Sequence, residues 1–257
     1  MSKITLSLEG RRALVTGASS GLGIFLAEKL DAAGASVGIH YQNNRDGAEA
    51  LALRLKNPSI FVKADLSDQE EIKQLFRKVT EEFGVIDILV NCAAAESQNI
   101  SDLSKISDDL WSHTMKANVT APMILTKLFS AQDALSKKGG GAIINISSIE
   151  GSRPAPRHSH YATSKAALEM LTMASALELG SLGIRVNAIA PGLISREGIE
   201  KDWPEGVAAW KAAAPLGKLV NPKDIANICV FLASDLSASI SGTVITVDCG
   251  LSTKPSW

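Results

Sequence analysis

Short runs of β-branched and apolar residues recur along the whole chain, separated by longer stretches whose apolar positions repeat with a helical period. Seven such runs read as strands, at residues 13–16, 36–41, 59–63, 86–91, 142–147, 185–189 and 243–247. Between them, Phe25, Leu26 and Leu30 mark one helix, and residues 71–83 a second, with a capping box at 67–70. A third starts near Ser107, and a fourth runs from about His160 through Ala162, Ala166, Leu168, Leu171, Ala174 and Leu177. Strands alternating with helices from end to end predict βαβ units and a parallel sheet. No repeat, polar linker or shift in composition divides the chain, and the longest stretch without a strand, residues 92–141, is one helix-bearing crossover. The pattern therefore predicts a single α/β domain over residues 1–257.

Composition narrows the function classes. With 257 residues and 46% hydrophobic content the chain can bury a large core. A net charge of −1 with scattered basic residues gives no footprint for nucleic acid or an anionic membrane. No apolar run reaches the roughly 18 residues of a membrane span, and the polar start lacks the apolar centre of a signal peptide, so a cytoplasmic protein is expected. Cys92, Cys229 and Cys249 are far apart and without metal-ligand spacing, which predicts reduced packing residues and no metal site.

Candidate chemistry gathers where the predicted strands end. The first strand runs into Thr16-Gly17-Ala18-Ser19-Ser20-Gly21-Leu22-Gly23 and then a helix. Glycines there let backbone approach a phosphate, and the free amides of a helix start attract it. The spacing is G-x-x-x-G-x-G, a near match to the usual dinucleotide fingerprint; a glycine-rich turn without a ligand is the alternative. Asp65 ends the third strand, either as part of a helix cap or facing a cofactor base. The fourth ends in Asn91-Cys92-Ala93-Ala94, small enough for a ligand to come close. Pro122 lacks the N–H that would bond the Asn118 carbonyl, leaving that oxygen for an ordered water or for bulk solvent. After the fifth strand, Ser148 is followed by Tyr161 and Lys165, and on a helix positions i and i+4 share a face. An ammonium beside a phenol favours its ionised form and makes it a usable proton carrier.

Together these motifs resemble the short-chain dehydrogenase/reductase family of the classical type, over nearly the whole chain, including Pro191-Gly192 and the ending Val247-Asp248-Cys249-Gly250. The resemblance implies a doubly wound Rossmann-type fold, a seven-stranded parallel sheet in the order 3-2-1-4-5-6-7 with helices on both faces. It implies hydride transfer between NAD or NADP and a ketone or secondary alcohol. The catalytic set would be Asn118, Ser148, Tyr161 and Lys165, with Asn118 holding a water through its carbonyl and Lys165 also holding the nicotinamide ribose. Cofactor contacts would come from Gly17, Ser19, Ser20, Gly21, Leu22 and Gly23, from Tyr41, Asn43, Asn44 and Arg45, from Asp65 and Leu66, from Asn91, Ala93 and Ala94, from Tyr161 and Lys165, and from Pro191, Gly192 and Ile194. Members pair through the long helices, so a dimer or, in preference, a homotetramer is implied, with the tail 251–257 near an interface or free on the surface. Two departures stand out. Ala94 replaces a glycine, and Arg196 stands where a threonine usually meets the carboxamide.

The end of the second strand, His40-Tyr41-Gln42-Asn43-Asn44-Arg45, has no carboxylate to repel a 2'-phosphate, so NADP is expected over NAD, with Arg45 and the Asn43 and Asn44 amides as its partners. Substrate contacts are expected from residues 95–104, 149–160 and 193–214. The middle loop carries Glu150, Arg153, Arg157, His158 and His160, which suits a polar substrate of the oxoacyl-reductase or sugar-dehydrogenase kind unless those charges face solvent. The rival reading is a non-catalytic dinucleotide sensor on the same fold.

Overall fold

Every run expected to form a strand joins one parallel sheet in the computed structural model, which describes residues 6–95 and 100–253. In chain order the elements are β1 (Arg12–Val15), α1 (Gly21–Ala32), β2 (Ser36–Tyr41), α2 (Arg45–Arg54), β3 (Ser59–Lys63), α3 (Gln69–Phe83) and β4 (Ile88–Asn91). They continue with α4 (Asp108–Met115), α5 (Ala121–Ser130), α6 (Asp133–Lys137), β5 (Gly141–Ile146), α7 (Ser159–Leu179) and β6 (Ile184–Pro191). The chain then adds α8 (Ile199–Asp202), α9 (Pro204–Ala213), α10 (Pro222–Ala233) and β7 (Val244–Val247). The strand order is β3-β2-β1-β4-β5-β6-β7, as the family resemblance implied.

Successive strand residues point to opposite faces, and both faces are buried. Ala13 and Val15, Ile88 and Val90, and Ala142, Ile144 and Ile146 enter one core, covered by α1, α2 and α10. Leu14, Leu89 and Ile143 enter the other, under α3, α5 and the end of α7 at Ala176 and Leu179. Strand order reverses between β1 and β4, so the loops leaving these two strands part and open a crevice at the carboxyl edge.

Element ends differ from expectation where a side chain takes over a backbone partner. β4 starts at Ile88 because the Ile86 N–H is donated to the Gln132 side chain at 2.8 Å. The cap of α3 is Asp68, not Ser67: its carboxylate accepts from the N–H groups of Glu70 and Glu71 at 2.7 and 3.1 Å. Between α4 and α5 the helix is continuous but widened into a π-helical turn, Lys116–Thr120, in which the Ala121 N–H reaches the Lys116 carbonyl. Among the described residues no helix is long and apolar enough to cross a membrane, and no cluster of His, Cys, Asp or Glu could hold a metal ion.

Candidate active site

The carboxyl edge of the sheet carries a cleft of about 650 Å³ that runs from the turn after β1 to the start of α7 and the end of β6. At one end lie Gly17, Ser19, Ser20, Gly21, Leu22 and Gly23. Gly17 has φ 66°, and a Cβ there would sit 2.9 Å from the Ala93 Cα; one on Gly23 would run into the Gly17 carbonyl. Ser20 precedes α1 without capping it, and the first turn has no acidic residue, so the helix's free N–H groups face the cleft unneutralised. That is the arrangement a pyrophosphate needs, and the residues present fit a dinucleotide.

A residue outside the expected site holds this turn in place. His40 is 2% exposed; its Nδ1 accepts from the Gly17 N–H at 3.0 Å and its Nε2 lies 3.0 Å from the Ala64 carbonyl. The first contact requires a lone pair on Nδ1, which puts the proton on Nε2 and makes the second a donated bond. Burial keeps the ring neutral, with a pKa lowered to about 4. Asn44 supports the turn from the other side, donating to the Ser19 carbonyl at 2.9 Å and accepting from the Gly47 N–H at the start of α2.

Three side chains expected to meet the cofactor are turned away from the cleft. Tyr41 is 7% exposed and packs on Phe61 in the core, away from the cleft. Arg45 holds its guanidinium 5.9 Å above the Phe61 ring and does not line the cleft; Gln42, Asn43 and Asn44 do. The side chain of Asn91 is buried and bonds to Asn145 at 2.8 Å, which bonds in turn to Thr172, a chain tying β4 and β5 to α7. Asp65 and Leu66 do line the cleft. The Asp65 carboxylate accepts from the Ser67 N–H at 2.8 Å, the main reason its pKa is lowered. His113 and Ser67 join that end, neither expected from the sequence.

Ala93 and Ala94 line the middle of the cleft. Ala94 is not among the residues at positive φ, which is why alanine is tolerated where the family has glycine. The Cys92 and Ala93 N–H groups are held by the Thr16 hydroxyl at 2.9 and 3.0 Å.

At the far end Ser148, Tyr161 and Lys165 come together beside Pro191, Gly192 and Ile194. Lys165 is 2% exposed, donates to the Ile146 carbonyl at 2.8 Å and lies 5.5 Å from the Tyr161 ring centroid. Burial lowers its pKa to about 8. The Tyr161 phenol is pushed up, first by burial and then by Glu150, and the Ser148 hydroxyl works in the opposite direction. The expected lowering of the phenol by Lys165 is thus absent: the ammonium is turned to a backbone carbonyl and is itself weakened by burial. Glu169, one turn beyond Lys165, accepts from the Ser147 hydroxyl at 2.8 Å.

Asn118 is 1% exposed and does not line the cleft. Its side chain accepts from the Ala95 N–H at 2.7 Å and donates to Ser164 at 2.9 Å, and Ser164 donates to the Tyr161 carbonyl. The residue therefore links the loop after β4 to α7. Pro122 has no donor for the Asn118 carbonyl, and the π-helical turn before it widens the helix, a distortion common at functional sites. Pro122→Ala should restore that donor and lower turnover by about three- to tenfold while leaving the melting temperature nearly unchanged. An unaltered rate and pH profile in the variant would show the widened turn to be structural only.

Arg196 points away, paired with Asp202 at 2.6 Å, and takes no place in the cleft. Of the loops expected to meet substrate, residues 96–99 lie outside the described residues, as do the start 1–5 and the tail 254–257.

Residues 17–252 match the family model described as enoyl-(acyl carrier protein) reductase. The chain is 36% identical over 244 residues to a 3-oxoacyl-(acyl-carrier-protein) reductase of Haemophilus influenzae, covering 95% of this chain and 99% of that protein. It is 34% identical over 255 residues to 3beta-hydroxysteroid dehydrogenase 1 of Eggerthella lenta, covering 97% of each. A crystal structure of a candidate short-chain alcohol dehydrogenase from Sinorhizobium meliloti 1021 superposes with a TM-score of 0.90 at 30% identity, over 97% of this chain and 99% of that one.

Proposed function

Because the chain belongs to the short-chain dehydrogenase/reductase family, we propose that it acts as one dinucleotide-binding and catalytic domain that reduces a small polar ketone with NADPH, or runs the reverse oxidation. The observation that carries this reading is a single cleft lined at one end by a bare helix start and glycine turn and at the other by Ser148, Tyr161 and Lys165. The nicotinamide cofactor, when bound, supplies or accepts the hydride. Gly17 to Gly23 and the α1 amides hold its pyrophosphate, Asp65 and Leu66 the adenine end, and Lys165 the ribose nearest the reaction. Ser148 donates a hydrogen bond to the substrate oxygen, where charge develops, and Tyr161 gives that oxygen its proton. Asn118 keeps Tyr161 in place through Ser164. The test is the absorbance of NADPH and NADH against ketones, oxoacyl thioesters and keto sugars; a wild type that oxidises neither cofactor with any of them overturns the reading.

Cofactor choice follows from the end of β2. Gln42, Asn43 and Asn44 line the cleft ahead of the α2 N-terminus, and none carries a negative charge to repel a 2'-phosphate. This supports NADP over NAD. Gln42→Asp should lower the ratio of kcat/KM for NADPH over NADH by about tenfold or more. Tyr41→Asp is unsuited to this purpose, since it would bury a carboxylate in the core. A wild type favouring NADH sinks the preference.

The same reading includes a homotetramer in the cytosol, its three free cysteines suiting a reducing compartment. On α7, Met170, Met173 and Leu177 are exposed at i, i+3 and i+7, with Trp111 of α4 and Met123 of α5 also exposed. Such a stripe suits a helix pairing with a second copy. Sedimentation of a monomer at micromolar concentration would refute it.

A further inference from the structure

The loop between β5 and α7 holds a carboxylate and an imidazole that the proposed reaction does not use. His158 Nδ1 lies 3.2 and 3.0 Å from the two carboxylate oxygens of Glu150, with both side chains less than one-fifth exposed. The His158 ring meets the Tyr161 ring edge-on, centroids 6.5 Å apart. Glu150 donates its N–H to the Ser148 hydroxyl oxygen at 3.2 Å, and its charge is felt at the phenol. Each member of the pair therefore touches one of the two groups that would grip the substrate oxygen, yet neither lines the cleft that would take the cofactor.

The backbone is held to keep this arrangement. Arg157, just before His158, adopts φ 67°, a conformation unfavourable for a side chain of its size. It is held by the Ser101 N–H on its carbonyl at 3.0 Å and by Asp102 on its guanidinium at 3.2 Å. Strain fixed in this way beside a reactive phenol is characteristic of a binding site.

Glu150 occupies Nδ1, and no described residue bonds to Nε2. A neutral ring whose Nδ1–H is donated to Glu150 presents a lone pair at Nε2; a protonated ring presents an N–H there. A hydroxyl can meet either state, accepting from one and donating to the other, whereas a carboxylate can meet only the charged ring. We infer that His158, oriented by Glu150, is a specificity-determining residue that binds a hydroxyl next to the reacting carbon, so that the substrate is an α-hydroxy ketone or keto sugar and, in reverse, a vicinal diol. This rests on the carbonyl-reductase reading and selects polyhydroxy compounds over oxoacyl thioesters.

The test compares kcat/KM for hydroxyacetone, butanone and pyruvate, which carry a hydroxyl, a methyl or a carboxylate beside the same carbonyl. In His158→Phe the hydroxyacetone-to-butanone ratio should fall about tenfold or more relative to wild type, the loss expected for one hydrogen bond to substrate. His158→Gln, which can both donate and accept, should recover part of it. Glu150→Gln should move the ratio the same way, and it carries the test if the His158 variants do not fold. A ratio unmoved in the folded variants overturns the inference and leaves the reductase reading standing. Pyruvate losing more than hydroxyacetone overturns the choice of a hydroxyl. A wild type that turns over none of the three, or any keto sugar, but reduces other ketones also rejects it; no turnover of any carbonyl removes the reductase reading as well.

Discussion

Tyr161→Phe should lower kcat about a thousandfold while leaving the dissociation constant for NADPH within about twofold of wild type. The ring remains beside Lys165 and His158, so the packing that shapes the cleft is kept, and only the hydroxyl proposed to give up the proton is lost. A variant retaining more than a tenth of the wild-type rate would remove Tyr161 from the role of acid. The pH profile is an independent check. Burial lowers the Lys165 pKa to about 8, so kcat/KM, which reports groups of the free enzyme, should decline above roughly that pH as the ammonium is lost. Lys165→Ala should damage both turnover and cofactor binding. A Tyr161→Phe variant that loses cofactor affinity in parallel with rate would indicate a collapsed cleft instead.

Tyr161 and Lys165 are four apart on one helix face, as the sequence required, but neighbourhood did not translate into a lowered tyrosine pKa. In the folded chain the first influence on Tyr161 is burial and the next is Glu150, both of which raise it. Spacing along a helix places two groups together; which atoms they turn toward depends on the acceptors available, and for Lys165 that acceptor is the Ile146 carbonyl.

The fold was more legible than the site. Seven apolar runs became seven strands: β1, β2, β4, β5 and β6 are buried on both faces, which demands the mostly apolar runs a sequence shows directly, while the edge strands β3 and β7 are only partly covered. Their ends shifted where single side chains, such as Gln132 on Ile86 and Asp68 on α3, claimed backbone donors, which no periodicity reveals. Within the site, the glycine turn and the Ser148, Tyr161 and Lys165 positions were visible as motifs. Tyr41 and Arg45 turn away from the cleft because the direction of a side chain at a strand's end depends on the neighbouring strand, here Phe61 on β3. No sequence pattern points to His40, because its partners, Gly17 and Ala64, are 23 and 24 residues away and bond through backbone atoms.

His40→Phe should raise the dissociation constant for NADPH by about tenfold or more and destabilise the fold by roughly 3 kcal/mol, because it leaves the half-buried Gly17 N–H and the buried Ala64 C=O without partners. One imidazole ties the glycine turn to the end of β3, next to Asp65 and Leu66, so its loss loosens both walls of the proposed adenosine end together. The wild type should show the same dependence through pH. The His40 pKa is lowered from 6.5 to about 4, by burial above all and against smaller opposing effects of the Ala64 hydrogen bond and the Asp65 charge. The unfolded chain therefore binds a proton that the folded chain refuses between these values. The stabilisation is complete above about pH 6.5 and is lost as pH falls toward 4, amounting to roughly 3 kcal/mol across that window. Below it, a protonated Nδ1 would confront the Gly17 N–H donor to donor and push the turn out of position. Chemical denaturation and NADPH titration between pH 7 and 4, in wild type and His40→Phe, would measure both effects. The variant should lose much of the acid-side slope in each, and equal slopes in the two proteins would show that His40 does not set the turn.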